Sequence, residues 1–291
     1  LRFLSDRFSL TGYGYEPAVS TTERGVYETP GLAPLPDDAP VVGVLFYRAH
    51  WQSGNLQPID ALATEINRLG CRPRTVYCES LKEADEQGVP LAVREYLMDA
   101  DVLISTLAFS SPHGLDCPVI QAIMSGSTLP EWQASSAGLS PRDVAMHVAL
   151  PEFDGRLISV PISFKDEGNL NQTIGAELRR NVPLPDRVEQ VARLASSWCT
   201  LRRTPNNEKR IAILFNNYPT RNARVGNGVG LDTPESVVRI LKSLSDAGYD
   251  VGEIPETGDE LIFALLAGCT QDDEFQLPEN LEATPHKLAP E

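Results

Sequence analysis

Apolar residues in this chain gather in short runs separated by polar loops, and two kinds of spacing alternate. Val41-Val42-Gly43-Val44-Leu45-Phe46-Tyr47 is a continuous apolar stretch without helical spacing, which predicts a buried strand. The polar loop Arg48–Asn55 follows. Beyond it Ile59, Leu62, Ile66 and Leu69 recur every three or four residues, which predicts an amphipathic helix. Pro58 suits the first turn of that helix, where a missing N–H costs nothing, and Gly70 suits its C-terminal cap. Arg74–Cys78 predicts the next strand. A strand–helix–strand unit of this kind is the building block of a parallel sheet.

The alternation continues along the chain. Val93–Met98 predicts a helix, Asp101–Leu107 a strand, and Pro118–Met124 either a buried strand or a short helix. Pro130–Ala137 predicts a helix, Val144–Leu150 a buried strand, and Arg156–Phe164 a further strand. Asp186–Arg203 predicts a long amphipathic helix carrying Val188, Val191, Leu194, Ala195, Trp198 and Leu201. Thr204–Asn207 is the expected hinge. After it the first unit is echoed: a strand over Arg210–Asn216, with Ile211–Phe215 as an interior strand, a long loop to Asp232, and a helix opening at Pro234. Thr233 can cap that helix, Gly248 can close it, and Tyr249–Val251 can begin another strand. The recurrence is a weak internal repeat, which the shared physics of strand–helix–strand units explains equally well.

The expected fold is therefore α/β, with parallel-sheet, Rossmann-like units and flanking helices. Leu1–Phe8 reads as the end of a helix, and Gly14–Pro40, rich in Pro and Gly, as a linker or extended arm. The expected domains are residues 1–40 as N-terminal segment and linker, 41–205 as an α/β domain, and 206–291 as the start of a second, incomplete α/β unit. Thr270–Glu291 carries Asp272, Asp273, Glu274, Glu279 and Glu282 with three prolines, and reads as a loop or tail.

Composition narrows the function. The 291 residues are 42% apolar and 22% charged, as in globular proteins. Acids outnumber bases 40 to 25, a net charge of −15, which argues against a nucleic-acid partner, since such a partner needs a positive footprint. No apolar run approaches the roughly 18 to 20 residues of a membrane-spanning helix. Leu1–Leu10 does not resemble a signal peptide and no initiator Met is present, so the chain is expected to begin inside a longer protein or to have been trimmed. Cys71, Cys78, Cys117, Cys199 and Cys269 are scattered without a C-x-x-C pair, which suggests a reducing, cytoplasmic setting.

Open parallel sheets hold ligands beyond the C-terminal ends of their strands. Two loops occupy that position. The first offers Arg48, His50 and Asn55. The second offers Asn217, Arg221, Arg224, Asn227 and Asp232, with Gly226, Gly228 and Gly230 alternating before a helix. The run is G-x-G-x-G, far from its strand and without a Walker lysine, so it does not match a dinucleotide fingerprint. A phosphate loop, a structural glycine loop and another kind of polar ligand loop all stand, and Arg221 and Arg224 suit carboxylates. His50, His113, His147 and His286 form no pair at metal-ligand spacing, so no metal site is expected. His50 read alone is a hydrogen-bonded structural residue, and His147, inside an apolar run, a core residue. No G-x-S-x-G nucleophile motif is present.

Several segments together resemble the family of CobN and the large subunit of magnesium chelatase, most closely its cobaltochelatase branch. They are Val42–His50 with Ser53-Gly54-Asn55 and Pro58–Leu62; Ala137–Met146 running into Leu150–Arg156; Leu201–Pro205; Asn217-Tyr218-Pro219-Thr220-Arg221; and Gly226–Pro234. They keep the family's order over roughly Val41–Val251. The resemblance implies an internal piece of a large subunit that holds a corrinoid or other tetrapyrrole and receives cobalt as substrate metal. It also implies partner AAA+-type subunits that hydrolyse ATP. The implied reaction inserts Co²⁺ into hydrogenobyrinic acid a,c-diamide. Magnesium insertion into protoporphyrin IX, or a non-catalytic scaffold for the ATPase subunits, are the alternatives. The family's His-Gly-x-x-Gly-x-x-Glu type segment is absent, so the catalytic residues are expected elsewhere and this chain alone is expected to be inactive.

Overall fold

Val41–Tyr47 is buried along almost its whole length in a computed structural model of the chain, because it has a strand on each side. The structure describes residues 2–15, 21–108, 114–172, 175–215, 225–267, 272 and 278–279. Two compact units divide the chain, Leu1–Arg202 and Arg203–Glu291.

The first unit opens with α1 (Arg2–Phe8), β1 (Arg24–Tyr27), β2 (Val41–Tyr47), α2 (Arg48–Gln52), α3 (Gln57–Arg68) and β3 (Arg72–Cys78). It continues through α4 (Leu91–Tyr96), β4 (Val102–Ser105), β5 (Val119–Thr128) and α5 (Leu129–Ala134). Next come α6 (Pro141–Val144), a π-helical turn (Ala145–Ala149) and α7 (Leu150–Phe153), then β6 (Leu157–Lys165), β7 (Asn169–Asn171), β8 (Ala176–Leu178), β9 (Asn181–Pro183) and α8 (Pro185–Arg203). Seven strands form one mixed sheet in the order β1-β3-β2-β4-β5-β6-β9. The five inner strands are parallel, while β1 and β9 close the edges antiparallel. The small antiparallel pair β7–β8 stands apart from that sheet.

Alternation along β2 divides the core in two. Val42, Val44 and Phe46 face α3 and α8, where Ile59, Leu62, Ile66, Val188, Val191 and Ala195 are buried. Leu45 faces the opposite layer, which holds Val93 and Leu97. Helices thus cover both faces, as an all-parallel inner sheet requires. Gly43 lets the second layer approach: a Cβ there would lie 2.7 Å from Leu97 Cδ2 and 3.0 Å from Leu103 Cδ1. Pro58 sits in the first turn of α3 and Gly70 ends it at φ +79°.

In the first unit three sequence expectations change and one open choice is settled. Residues 48–52 of the first loop are a helix, α2. Val144–Leu150, expected as a strand, lies in the α6–π–α7 helical run, which Ser140 and Pro141 start; Val144 is exposed, and β5, which packs against the π-helical turn, is already paired with β4 and β6. Pro118–Met124 resolves as strand, within β5. The expected arm contributes β1, which pairs with β3 over Arg24–Tyr27.

In the second unit α9 (Thr233–Asp246) and α10 (Gly258–Leu266) pack through Val237, Val238 and Leu261. Pro234 lies in the first turn of α9, and Gly248 follows it at φ +84°. Ile211–Phe215 is not a strand: Ile211, Ile213 and Leu214 are exposed, and no described neighbour pairs with them. Tyr249–Val251 likewise forms no strand.

Candidate functional site

The chain leaves β2 for β3 on one side and reaches β4 on the other. Loops after β2 and β4 therefore diverge at the end of the sheet where open α/β folds take ligands. Polar side chains collect at this end.

His50 rides on α2, and its Nδ1 lies 3.4 Å from Asn55 Nδ2. Burial, reinforced by the charge of Lys165, holds the His50 pKa down to about 4, so the ring is neutral at neutral pH. Asn55 is buried; its Nδ2 donates to Asn181 Oδ1 at 2.9 Å, and the Asn181 backbone N–H donates back to Asn55 Oδ1 at 3.0 Å. Lys165, the last residue of β6, donates from Nζ to the same Asn181 Oδ1 at 2.6 Å. Burial pushes the Lys165 pKa down, and the nearby Asp166 opposes this. His50, Asn55, Asn181 and Lys165 thus form one chain from the loop after β2 to the ends of β6 and β9.

Lys165 also lines a cavity of about 430 Å³ beyond the ends of β5 and β6, together with Met124, Gly126, Arg142, Asp143 and His147. Asp143 is buried in its wall. Its carboxylate accepts the Ser125 hydroxyl at 2.9 Å and the Gly126 N–H at 3.1 Å. Ser140 Oγ in turn accepts the Asp143 N–H, capping α6. One turn on, the π-helical turn carries His147, whose Nδ1 is buried with no hydrogen-bond partner among the described residues. Burial lowers the His147 pKa, Asp143 opposes that, and Arg142 adds to it. Local π geometry of this kind often marks functional positions.

A second buried network has another role. Arg156 donates to Gln121 Oε1 at 2.6 Å, to the Leu107 carbonyl at 3.1 Å and to Asp154 Oδ2 at 2.8 Å. It ties the segment after β4 to β5 and to the start of β6, and its charged form is disfavoured by burial.

Among the residues singled out from the sequence, His50 and Asn55 meet in this site. Arg48 instead pairs with Glu79 and donates to the Thr22 carbonyl at 3.3 Å, beside the β1–β3 edge. Asp232 caps α9 by accepting the Glu235 N–H at 3.2 Å, and Asn227 is exposed in the second unit. Gly226 there has φ +69°, and a Cβ would meet the Phe215 ring at 2.8 Å. Asn217, Arg221 and Arg224 lie outside the described residues. Sequence reasoning missed Lys165, Asn181 and Asp143. Lys165 follows the strand predicted over Arg156–Phe164, so the strand-end rule could have found it; Asn181 had no periodic signal around it. His147, expected in the core, is half-buried at the cavity. Among the described residues no group of His, Cys, Asp or Glu could hold a metal ion, and no helix is long and apolar enough to cross a membrane.

Comparison with known proteins places these observations in a lineage. The family model described as CobN/Magnesium Chelatase matches residues 1–290. The aerobic cobaltochelatase subunit CobN of Sinorhizobium sp is 42% identical over 244 residues, 80% of this chain and 19% of that protein. A magnesium-chelatase subunit of Rhodobacter capsulatus is 28% identical over 264 residues, 81% of this chain and 22% of that protein. Among solved structures, the catalytic subunit of cobaltochelatase from Mycobacterium tuberculosis superposes with a TM-score of 0.74 at 35% identity. That match covers 92% of this chain and 23% of the other. The chain spans about one fifth of the length of these relatives.

Proposed function

This chain belongs to the CobN/Magnesium Chelatase family, and we propose that it is part of the tetrapyrrole-binding large subunit of an ATP-dependent cobaltochelatase. The reaction proposed is insertion of Co²⁺ into hydrogenobyrinic acid a,c-diamide, in the cytoplasm, during cobalamin biosynthesis. The observation that carries the choice of metal is the difference in identity, 42% to a cobaltochelatase subunit against 28% to a magnesium chelatase subunit.

Insertion needs a metal brought in and pyrrole protons carried out. In this reading the chain contributes substrate contacts: His50, Asn55 and the cavity beyond β5 and β6 from the first unit, and Asn217, Arg221, Arg224, Asn227 and Asp232 from the second. Arg48 joins them only by exchanging its pairing with Glu79. Partner subunits of the AAA+ type would hydrolyse ATP, as the resemblance to the family implies. The chain alone, given cobalt, ATP and substrate, is expected to show no turnover.

The deciding experiment titrates the complete large subunit with the corrin precursor and with protoporphyrin IX, followed by quenching of intrinsic fluorescence. Corrin binding at least tenfold tighter is expected. Equal affinity, or preference for the porphyrin, overturns the cobalt reading.

A further inference from the structure

We propose that Lys165 and His147 form a receptor for one free carboxylate on the rim of the bound macrocycle. The proposal rests on the tetrapyrrole-binding reading and adds which chemical group this cavity takes.

Three observations lead to it. Lys165 Nζ spends one N–H on Asn181 Oδ1 and makes no ion pair among the described residues, although it is half-buried. A partly desolvated ammonium is stabilised most by an anion in hydrogen-bond contact. His147 lines the same cavity, and with Nδ1 buried and without a partner among the described residues, Nε2 is the ring nitrogen left to meet a ligand. Asp143 does not serve as the missing anion: it makes no ion pair with Lys165, and its oxygens are turned to the Ser125 hydroxyl and the Gly126 N–H.

Carboxylate is the anion that fits. It presents two acceptor oxygens, one for the Lys165 ammonium and one for an imidazole N–H, which the neutral ring supplies when Nε2 carries the proton. Asp143 in the same wall disfavours a dianion such as phosphate, while Arg142 at the cavity offsets one negative charge. A space of about 430 Å³ is ample for an acetate or propionate arm. In this arrangement the ring lies at the cavity mouth and inserts one arm. The Asn55–Asn181 pair holds the acceptor on which Lys165 is braced, so the site is built in advance of the ligand.

The test compares two ligands in the complete large subunit: a corrin with free side-chain carboxylates and the same corrin fully amidated. Lys165→Met should weaken binding of the acid about 10- to 100-fold, on the scale of a charge-assisted hydrogen bond, and leave the amide within about twofold. Lys165→Gln, which retains a donor for Asn181, should give the same selectivity and guards against a folding defect in the first variant. Loss of both ligands in parallel by both variants, or loss of neither, overturns the receptor. A second arm titrates this chain with propionate and follows the His147 ring ¹⁵N resonances. Saturable shifts in wild type that vanish in Lys165→Gln support the receptor, and unmoved resonances in wild type overturn it. If wild type binds no macrocycle yet propionate moves His147, the functional reading falls and the carboxylate site stands.

Discussion

Two segments of this molecule begin from nearly the same pattern and end differently. Val41–Tyr47 and Ile211–Phe215 are both short apolar runs followed by a polar loop, a helix with proline in its first turn, and a glycine cap. The helices come out alike. Pro58 and Pro234 sit in first turns, and Gly70 and Gly248 take φ +79° and +84°. The strands do not. Val44 pairs with Thr75 on one side and Ile104 on the other and is fully buried, whereas Leu214 is 93% exposed. A helix satisfies its backbone within its own segment; a strand needs neighbours, and an apolar run without them remains only extended chain.

The sharpest way to test that contrast is to place a charge in each run. Val44→Asp leaves a carboxylate between two helix-covered layers and is expected to cost more than about 4 kcal/mol, enough to unfold the first unit. Leu214→Asp is expected to stay within about 0.5 kcal/mol. Thermal melts of both variants decide, and a large loss from Leu214→Asp would show that run to be covered.

A smaller contrast lies in the ion pairs. Asp154 and Arg156 have side chains only 4% and 1% exposed, and Asp154→Ala is expected to cost about 3 to 5 kcal/mol by leaving a buried guanidinium short of its carboxylate. Arg239 pairs with Glu235 on the surface of α9, and Arg239→Ala is expected to cost about 0.5 kcal/mol or less. Urea unfolding midpoints measure both.

His50 gives the first unit a pH signature. Unfolded, the ring takes up a proton near its ordinary 6.5; folded, burial and Lys165 delay this to about 4. The unfolded state therefore binds more protons between those values. Stability from this group is complete above about pH 6.5 and is lost as pH falls towards 4, a difference of up to roughly 3 kcal/mol. His147, also shifted down by burial, adds in the same direction. Between pH 7.5 and 4.5 the wild type should lose about 2 kcal/mol more than His50→Gln in urea titrations. Equal losses would remove His50 from the account.

The smallest difference between the two units is expected at their helix stops, where the effect should be the same in both. Gly70→Ala and Gly248→Ala each force a side chain into the left-handed region, at about 1 to 2 kcal/mol. Hydrogen exchange of α3 and α9 amides should show matching increases, and a marked inequality would mean that packing, not φ, sets the cost.

The candidate site is half legible in the sequence. His50 and Asn55 lie beyond a strand end, as the order of strand, loop and helix implies. Their partner Asn181 lies 126 residues from Asn55, in a three-residue edge strand with no periodicity to announce it. Arg48 stands in the same loop, yet once α2 forms it is drawn to Glu79. Val144–Leu150 shows the other failure. Its apolar content suggests a strand, but Ser140 and Pro141 set a helix start, and the strand packed against it, β5, is already paired on both sides.

By itself, then, the sequence determined the things that close within a few residues: helix starts at Pro58 and Pro234, left-handed stops at Gly70 and Gly248, and the alternating faces of β2. Tertiary structure decided what depends on neighbours far along the chain. It chose which apolar run becomes a strand and recruited Arg24–Tyr27 to cap the sheet. It also brought Lys165, Asn181 and His147 to the end where β2 and β4 part. Local hydrogen bonds and torsions are fixed by residue type, whereas ladder pairing and cavity lining exist only when distant segments meet.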